Sequence, residues 1–513
     1  MKKISFFLLA MITMQVHAQI ITDAQIDSVA MLSLKTFDVP GIAVAVVKDG
    51  KIIHAKGYGV RSLNTKLPVD ENTLFGIASN TKAFTVAALG ILVDDGKIKW
   101  DDKVTDYIPE FKMYDPYVTA EFTIRDLLTH RSGLGLGAGD LMFWPDSNNF
   151  TKEEMIHNLR YLKPVSSFRT KYDYDNNLYM VAGEVIARVS GMSWENFIQK
   201  NILDALGMTQ SAPAYDLLKD KSDVIDAHAP VDGVVKVIAR DHNMNLDAAG
   251  GIYSNLADMC KWIIMQMNDG VYDNDKKLLN AVTHQEMWTP QTIIPVHGET
   301  PYNTHFASYG LGWFLSDVHG YKQCTHTGGL AGIVTQVTLI PELKLGIIVF
   351  TNQQSGAAFA SVTNIIKDSY FGMKPRDWIK IYKERSDEGV SKEKEILSKV
   401  WQQVEQQKNN KCATPSSFMG TYHDKWFGDV VISVKDGKIW FTSKRSFMLN
   451  GEMFPYKGNT FVVKWGDRSM DADAFVTFSL DTDGNASGIK MKAISPLTDF
   501  SFDFQDLDFV RVQ

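Results

Sequence analysis

Cysteine is scarce in this chain: three residues, Cys260, Cys324 and Cys412, among 513. So few, so scattered, exclude a disulfide scaffold and permit one bridge at most, and no Cys/His spacing matches a structural zinc site. A basic excess is also missing. The 53 Lys and Arg against 60 Asp and Glu give a formal charge of −7 and leave no basic stripe to neutralise phosphates, so nucleic acid is not expected as a partner. Internal repeats and low-complexity tracts are absent, and beyond the first residues no run reaches the roughly 18 apolar residues of a membrane span. What remains is of ordinary globular composition, 45% hydrophobic and 22% charged. At roughly 150 residues per domain, the length suggests three units, or one large domain and a small one.

The beginning of the chain reads as an export signal. Lys2 and Lys3 form a positive head, Ile4 to Met14 an apolar stretch, and Val16-His17-Ala18 a small-residue cleavage site, so residues 1–18 are expected to be removed and the mature chain to begin at Gln19. A periplasmic or secreted protein without an integral membrane span follows.

Two textures follow one another. Thr22-Asp23-Ala24-Gln25 reads as a capping box before a first helix, and Ile42–Val47 and Ile52–Tyr58 as two strands joined at Asp49-Gly50. From about residue 75 to 270 the pattern is mostly helical, with pieces at 82–95, 124–129, 152–162, 178–189 and 194–203; strands return at 334–340 and 345–351, then a helix near 362–370. Strands at both ends with helices between predict an α+β domain over residues 19–373, its antiparallel sheet completed by distant segments. Residues 374–411 form a charged helical linker, expected to be solvated and laced with salt bridges. Residues 412–513 read as short alternating strands, the last at 499–504, giving a small all-β meander or barrel whose aromatics Trp426, Phe427, Trp440, Phe441, Phe461 and Trp465 are expected in its core. Asp481-x-Asp483-Gly484-Asn485 lacks the terminal glutamate of a calcium loop and reads as a hairpin turn.

One segment promises chemistry. If a helix begins at Ser79, then Ser79 and Lys82 stand one turn apart on one face, and the amine can reach the hydroxyl. A serine alcohol needs an adjacent base, and lysine serves only if burial lowers its pKa; three units cost about 4 kcal/mol. The apolar helix after Lys82, Ala83 to Val93, can supply that burial. Ser-x-x-Lys alone is weak. Two further segments strengthen it: Tyr174-Asp175-Asn176, just before an apolar helix, and His326-Thr327-Gly328-Gly329, directly before the strand 334–340. Ile77-Ala78 precede the serine in place of a Gly-x-Ser elbow, and no phosphate loop occurs, which disfavours an α/β-hydrolase or a nucleotide enzyme.

Together the three segments resemble the signature set of serine β-lactamases and penicillin-binding proteins, Ser-x-x-Lys, Tyr-x-Asn and Lys/His-Thr-Gly. Segments 126–134, 249–254 and 309–313 extend that resemblance, in order, to the class C β-lactamase-related hydrolases over roughly residues 22–372. It implies a β-lactamase/transpeptidase-like fold and an acyl-enzyme formed on Ser79, with Lys82 and Tyr174 moving the proton. It further implies Asn176, His326, Thr327 and Gly328 in substrate binding, and the backbone N–H groups of Ser79 and Gly329 as the oxyanion hole. Neither a metal nor an organic cofactor is expected. Lysine is usual at the position of His326, so the resemblance implies weak or pH-dependent carboxylate binding and a lean toward D,D-peptidase or esterase chemistry. His130 is read as structural.

The expected partner is a small-molecule or short-peptide substrate, an amide or an ester, with hydrolysis and acyl transfer both open. A receptor that only binds, or is slowly acylated by, cell-wall fragments or β-lactams is the competing reading. A β domain that binds carbohydrate, or covers the cleft, is another.

Overall fold

The computed structural model describes residues 20–241, 244–273, 275–407 and 417–512. The export segment at 1–18, Cys412 and the end of the linker lie outside these residues. A helix α1 (Asp23–Thr36) opens on the expected capping box, with Thr22 Oγ1 accepting the Gln25 N–H and the Gln25 side chain answering. Strands β1 (Gly41–Lys48) and β2 (Lys51–Gly59) pair antiparallel around Asp49 and Gly50, both at positive φ (53° and 73°) as a tight hairpin demands.

The sheet has eight strands. After β1 and β2 come β3 (Thr292–Ile294), β4 (Ala307–Tyr309), β5 (Phe314–Val318), β6 (Tyr321–Leu330), β7 (Ile333–Ile340) and β8 (Leu345–Thr351), in spatial order β2-β1-β8-β7-β6-β5-β4-β3. The first strand therefore lies beside the last, with Ile42 opposite Thr351. Both faces of β1 are buried. Ile42, Val44 and Val46 pack with Ile26 and Ala30 of α1 and with Val362 and Ile366 of a helix at Gly356–Tyr370. Ala43, Ala45 and Val47 face the other way, toward Met259 and Ile263 of a helix at Leu256–Met267. This is the β-lactamase/transpeptidase-like arrangement, with the helical region between β2 and β3 carrying α2 (Thr81–Asp94) and α3 (Asn177–Ser190).

One expectation about the sheet needs extending. His326 to Gly329 do precede the strand at 334–340, here β7, but they are themselves part of a strand, β6, which pairs with β7 up to Leu330. Lys322, Gln323, Thr325 and the two glycines break the hydrophobic alternation, and pairing supplies what side-chain pattern does not.

The linker is a 30-residue helix, α4 (Trp378–Gln407), and it is more than a solvated connector. Its outer face does carry i,i+4 pairs such as Lys383–Asp387 and Lys399–Glu395. Its inner face is anchored at both ends: Trp378 joins the core around β1 and β8, while Val400 and Val404 pack with Val462 and Ile494 of the C-terminal domain. Beyond it, strands β9 (Gly420–Asp424), β10 (Gly428–Lys435), β11 (Lys438–Ser443), β12 (Asn450–Lys457), β13 (Thr460–Trp465), β14 (Ala474–Leu480), β15 (Ala486–Ala493) and β16 (Phe509–Arg511) close into a barrel. Trp426, Phe427, Phe441, Phe461 and Trp465 are buried in it and Trp440 partly so. Residues 499–504 are not the strand that their alternation suggests. They form a loop entering a short 3-10 turn at Phe504–Asp506, because Phe500 and Phe502 turn toward Tyr174 and Trp144 of the first domain rather than into the barrel. Asp481 and Gly484 form the expected turn, with Asp481 accepting backbone N–H groups of Asp483 and Asn485.

Cys260 and Cys324 are buried free thiols. Among the described residues no helix is long and apolar enough to cross a membrane.

Candidate active site

Ser79 lies two residues before the first residue of the regular helix. It lies in a 3-10 turn, Ala78–Asn80, that runs into α2 at Thr81, and Ala78 before it holds a positive φ of 49°. The turn is pinned from behind. Thr335 Oγ1 of β7 donates to the Ile77 carbonyl at 2.9 Å and accepts Asn80 Nδ2 at 2.9 Å. Gly328 of β6 fits against the same turn so closely that a Cβ there would lie 2.4 Å from the Ile77 oxygen and 2.8 Å from the Ala78 Cβ. Gly328 is thus buried and turned away from the cleft, while Thr327 and Gly329 on either side are exposed to it. Pairing between β5 and β6 ends at Thr325, so the edge of β6 from His326 onward is bordered by β7 alone and opens toward Ser79.

Lys82 is fully buried. Its Nζ lies 3.1 Å from Ser79 Oγ, 2.7 Å from Asn176 Oδ1 and 2.9 Å from the Ala249 carbonyl. The last two partners can only accept. A neutral amine has two N–H bonds to give; with both spent on Asn176 and Ala249, its electron pair is left facing the serine. Burial drives Lys82 down to about 7, against the pull of the Asp140 and Asp175 charges. Asn176 in turn donates Nδ2 to Asp140 Oδ2 at 2.8 Å. The segment carrying Ala249 is held to α2: Thr85 Oγ1 donates to the Ala248 carbonyl at 2.6 Å and accepts Trp194 Nε1 at 3.0 Å.

Tyr174 faces Ser79, which favours ionisation of its phenol, yet burial holds its pKa well above the ordinary phenol value. Its ring lies 4.8 Å from Lys82 Nζ and stacks obliquely on His130, centroids 4.2 Å apart. His130 is itself buried, with Nδ1 accepting the Asp175 N–H at 3.1 Å, and desolvation pushes its pKa well below 6.5. It props the phenol rather than serving the serine. Asp175 accepts the Leu178 N–H at the start of α3 at 3.3 Å, which is why a helix start follows Tyr-x-Asn directly.

His326 is neutral. Nδ1 donates to the Thr327 carbonyl at 2.6 Å, Nε2 accepts the Tyr309 hydroxyl at 2.9 Å, and burial beside Lys82 lowers the ring to about 3. The pH-dependent carboxylate binding expected of this histidine therefore has no titration near neutrality to draw on. The structure brings together the residues that sequence reasoning named, Ser79, Lys82, Tyr174, Asn176 and His326, while Asp140, Ala249, His130's ring contact and Thr335 were missed, since a main-chain carbonyl and a lone buried acid leave no spacing pattern.

Of these groups, Ser79, Tyr174, Asn176 and His326 line a cavity of about 540 Å³. One wall is surface of the first domain, including Ser79, Tyr172 and Phe314; the other belongs to the barrel, including Met470, Leu497 and Phe500. A separate cluster with metal-ligand reach, Asp23, Asp27 and His54, already has the Lys56 ammonium bonded to both carboxylates.

A sheet of this order with Ser-x-x-Lys at the head of a buried helix defines the class of β-lactamase-fold serine hydrolases. The beta-lactamase family model matches residues 33–369, and a domain of unknown function, DUF3471, matches residues 407–511. The chain belongs to the beta-lactamase family. It is 30% identical over 369 residues to the unguisins hydrolase of Aspergillus violaceofuscus, covering 67% of this chain and 64% of that protein, and so less than two thirds of its length. Protein flp of Staphylococcus aureus is 29% identical over 337 residues, 64% of this chain and 63% of flp. Among solved structures, the octameric penicillin-binding protein homologue from Pyrococcus abyssi shares the fold over 95% of this chain and 99% of its own, with TM-score 0.61 and 21% identity. The penicillin-binding protein from Bacillus halodurans matches 66% of this chain and 99% of its own, with TM-score 0.53 and 23% identity.

Proposed function

We propose that the chain is an exported serine hydrolase, periplasmic or secreted, that cleaves an amide or ester through an acyl-enzyme on Ser79. The observation that carries this reading is the Lys82 amine. It is buried, lowered to about 7, and hydrogen-bonded so that its free electron pair meets Ser79 Oγ. At neutral pH about half of such an amine is unprotonated, so it takes the hydroxyl proton as Oγ attacks the substrate carbonyl. Tyr174 keeps its proton under burial, and its hydroxyl at Ser79 is suited to hand a proton on to the leaving group, itself refilled from Lys82. The Ser79 and Gly329 N–H groups stabilise the tetrahedral oxyanion. Asn176 orients the amine, and Thr327 on the open β6 edge, with His326 beneath it, receives the substrate backbone. Water on the same side then releases the acyl group. Protein groups carry every proton in this cycle.

The roofed cavity of about 540 Å³ favours small substrates: a D-amino-acid peptide, a peptidoglycan fragment or a small ester. Similarity to a protein named as a hydrolase and to penicillin-binding proteins supports the same chemistry. The test is turnover of an activated ester and a D-alanyl anilide by wild type and Ser79→Ala, with fluorophosphonate labelling located by peptide mass. Sustained release that disappears in Ser79→Ala is expected. Release of one equivalent at most means a binding protein, and a label on another residue overturns the nucleophile.

A further inference from the structure

The barrel reaches the catalytic lysine through an unbroken line of side chains. Ser501, on the loop between β15 and β16, donates Oγ to Asp140 Oδ2 at 2.9 Å. The same carboxylate accepts Asn176 Nδ2 at 2.8 Å and Asn177 Nδ2 at 3.4 Å, and Asn176 Oδ1 accepts Lys82 Nζ at 2.7 Å. Two residues on, Asp503 accepts the Gly139 and Leu141 N–H groups at 2.6 and 3.2 Å, which clamps the loop that carries Asp140. Ser501, Asp503, Asp140, Asn176 and Lys82 are all buried.

The direction of this line matters. A primary amide has a donating and an accepting end, and Asn176 can offer its oxygen to Lys82 only while its nitrogen has an acceptor on the opposite side. Asp140 is that acceptor. Were the amide reversed, its nitrogen would face an amine and its oxygen a carboxylate. With Asn176 Oδ1 in place, one Lys82 N–H is drawn away from Ser79 and the electron pair stays on the hydroxyl. We propose that Asp140 and the barrel residue Ser501 are positioning residues for acylation, holding Asn176 in the orientation that aims the Lys82 electron pair at Ser79.

The charges around the line fit this role. Burial, with Asp175 and Asp503 nearby, drives Asp140 toward the protonated form, and the Asn176 and Ser501 hydrogen bonds oppose it, as does Lys82. Without the Ser501 donor, Asp140 takes up a proton more readily, and a protonated oxygen competes with Asn176 Nδ2. Lys82 itself faces Asp140 and Asp175, the His130 and His326 rings, and the Tyr174 and Tyr179 phenols. The Asp140 charge raises its pKa, so loss of that charge lowers it.

The proposal rests on Ser79 and Lys82 acting as described above, and the test separates the two. The full chain is labelled with a fluorophosphonate in single-turnover mode from pH 5 to 9, the modified peptide is quantified, and each variant's melting temperature is recorded. Ser501→Ala is expected to slow Ser79 labelling about 10-fold and to move the midpoint of its acid limb to lower pH; Ser501→Thr, which keeps the hydroxyl, restores both. Asp140→Asn is expected to do the same more strongly. Ser495→Ala removes a barrel contact to Glu393 of α4, away from this line, and is expected to leave rate and midpoint as in wild type. Folded Ser501→Ala with an unchanged midpoint and a rate within 2-fold of wild type overturns the proposal, as does Ser495→Ala reproducing the defect. Should Asp140→Asn fail to fold, the Ser501 pair decides. A wild type that takes no label on Ser79 refutes the Ser79–Lys82 reading instead.

Discussion

Replacing Lys82 by arginine isolates the claim that the amine is a base. Arginine keeps a cation and several donors beside Asn176 Oδ1 and the Ala249 carbonyl, but it does not lose its proton in a protein. The size of the effect follows from the amine's position. With Lys82 lowered to about 7, about half is neutral at pH 7. An exposed lysine at about 10.4 is neutral about once in 2,500 molecules at that pH, a difference on the order of 10³. Positioned general bases contribute 10²- to 10⁴-fold, so Lys82→Arg should slow acylation by about 10³, near 4 kcal/mol of activation free energy. The assay is the rate of the first turnover with an activated ester, followed by rapid mixing from pH 5 to 9. Wild type should rise with pH and level off above about 7, as the amine loses its proton. The variant should be slow throughout and show no limb there. A wild-type rate flat from pH 5 to 9, or a Lys82→Arg rate within tenfold of wild type, refutes the reasoning.

Three other outcomes follow from the geometry. Gly328→Ala should displace the Ser79 turn, because its Cβ meets the Ile77 oxygen at 2.4 Å, costing about 1–3 kcal/mol in chemical denaturation and most of the acylation rate. Gly329→Ala, with nothing within 4 Å, should leave stability unchanged. Because His326 sits near 3, the ratio of KM values for a free-acid substrate and its methyl ester should change no more between pH 5 and 8 than it does in His326→Gln; a histidine-dependent gain in carboxylate affinity toward pH 5 contradicts that assignment. Val404→Asp should place an unpaired charge between α4 and the barrel, lower the melting temperature by several degrees and expose the barrel junction to proteolysis; an unchanged melt means that this contact does not hold the two together.

The Ser79–Lys82 pair was legible because three residues along a helical turn put two side chains on one face, and the two meet at 3.1 Å. Tyr174 and Asn176 were placed on a loop lip before a helix, and their roles came from the resemblance to the β-lactamase signature set. His326 was placed on the right segment but without its own strand, since β6 is defined by its partners and not by its own polar, glycine-rich pattern. The two adjacent glycines look alike in sequence. Only the approach of Ile77 and Thr335 separates a packing position at 328 from an open one at 329. Two barrel strands carry weak signals of their own: the one at 420–424 is short, and the one at 450–457 carries Pro455 at a register shift. Segment 499–504 misled because alternating aromatics point to a strand in either case, whether they fill a barrel or lean across a cleft.

The pairing of β1 with β8 also constrains how the molecule is made. Ile42 leaves the ribosome some three hundred residues before Thr351, its neighbour in the finished sheet, and the serine likewise precedes both the strand that borders it and the barrel loop above it. Until those later segments are synthesised, the nucleophile has no completed wall and its amine no dry enclosure, so a half-translated chain carries an inert alcohol. Reactivity is thereby deferred to the finished fold.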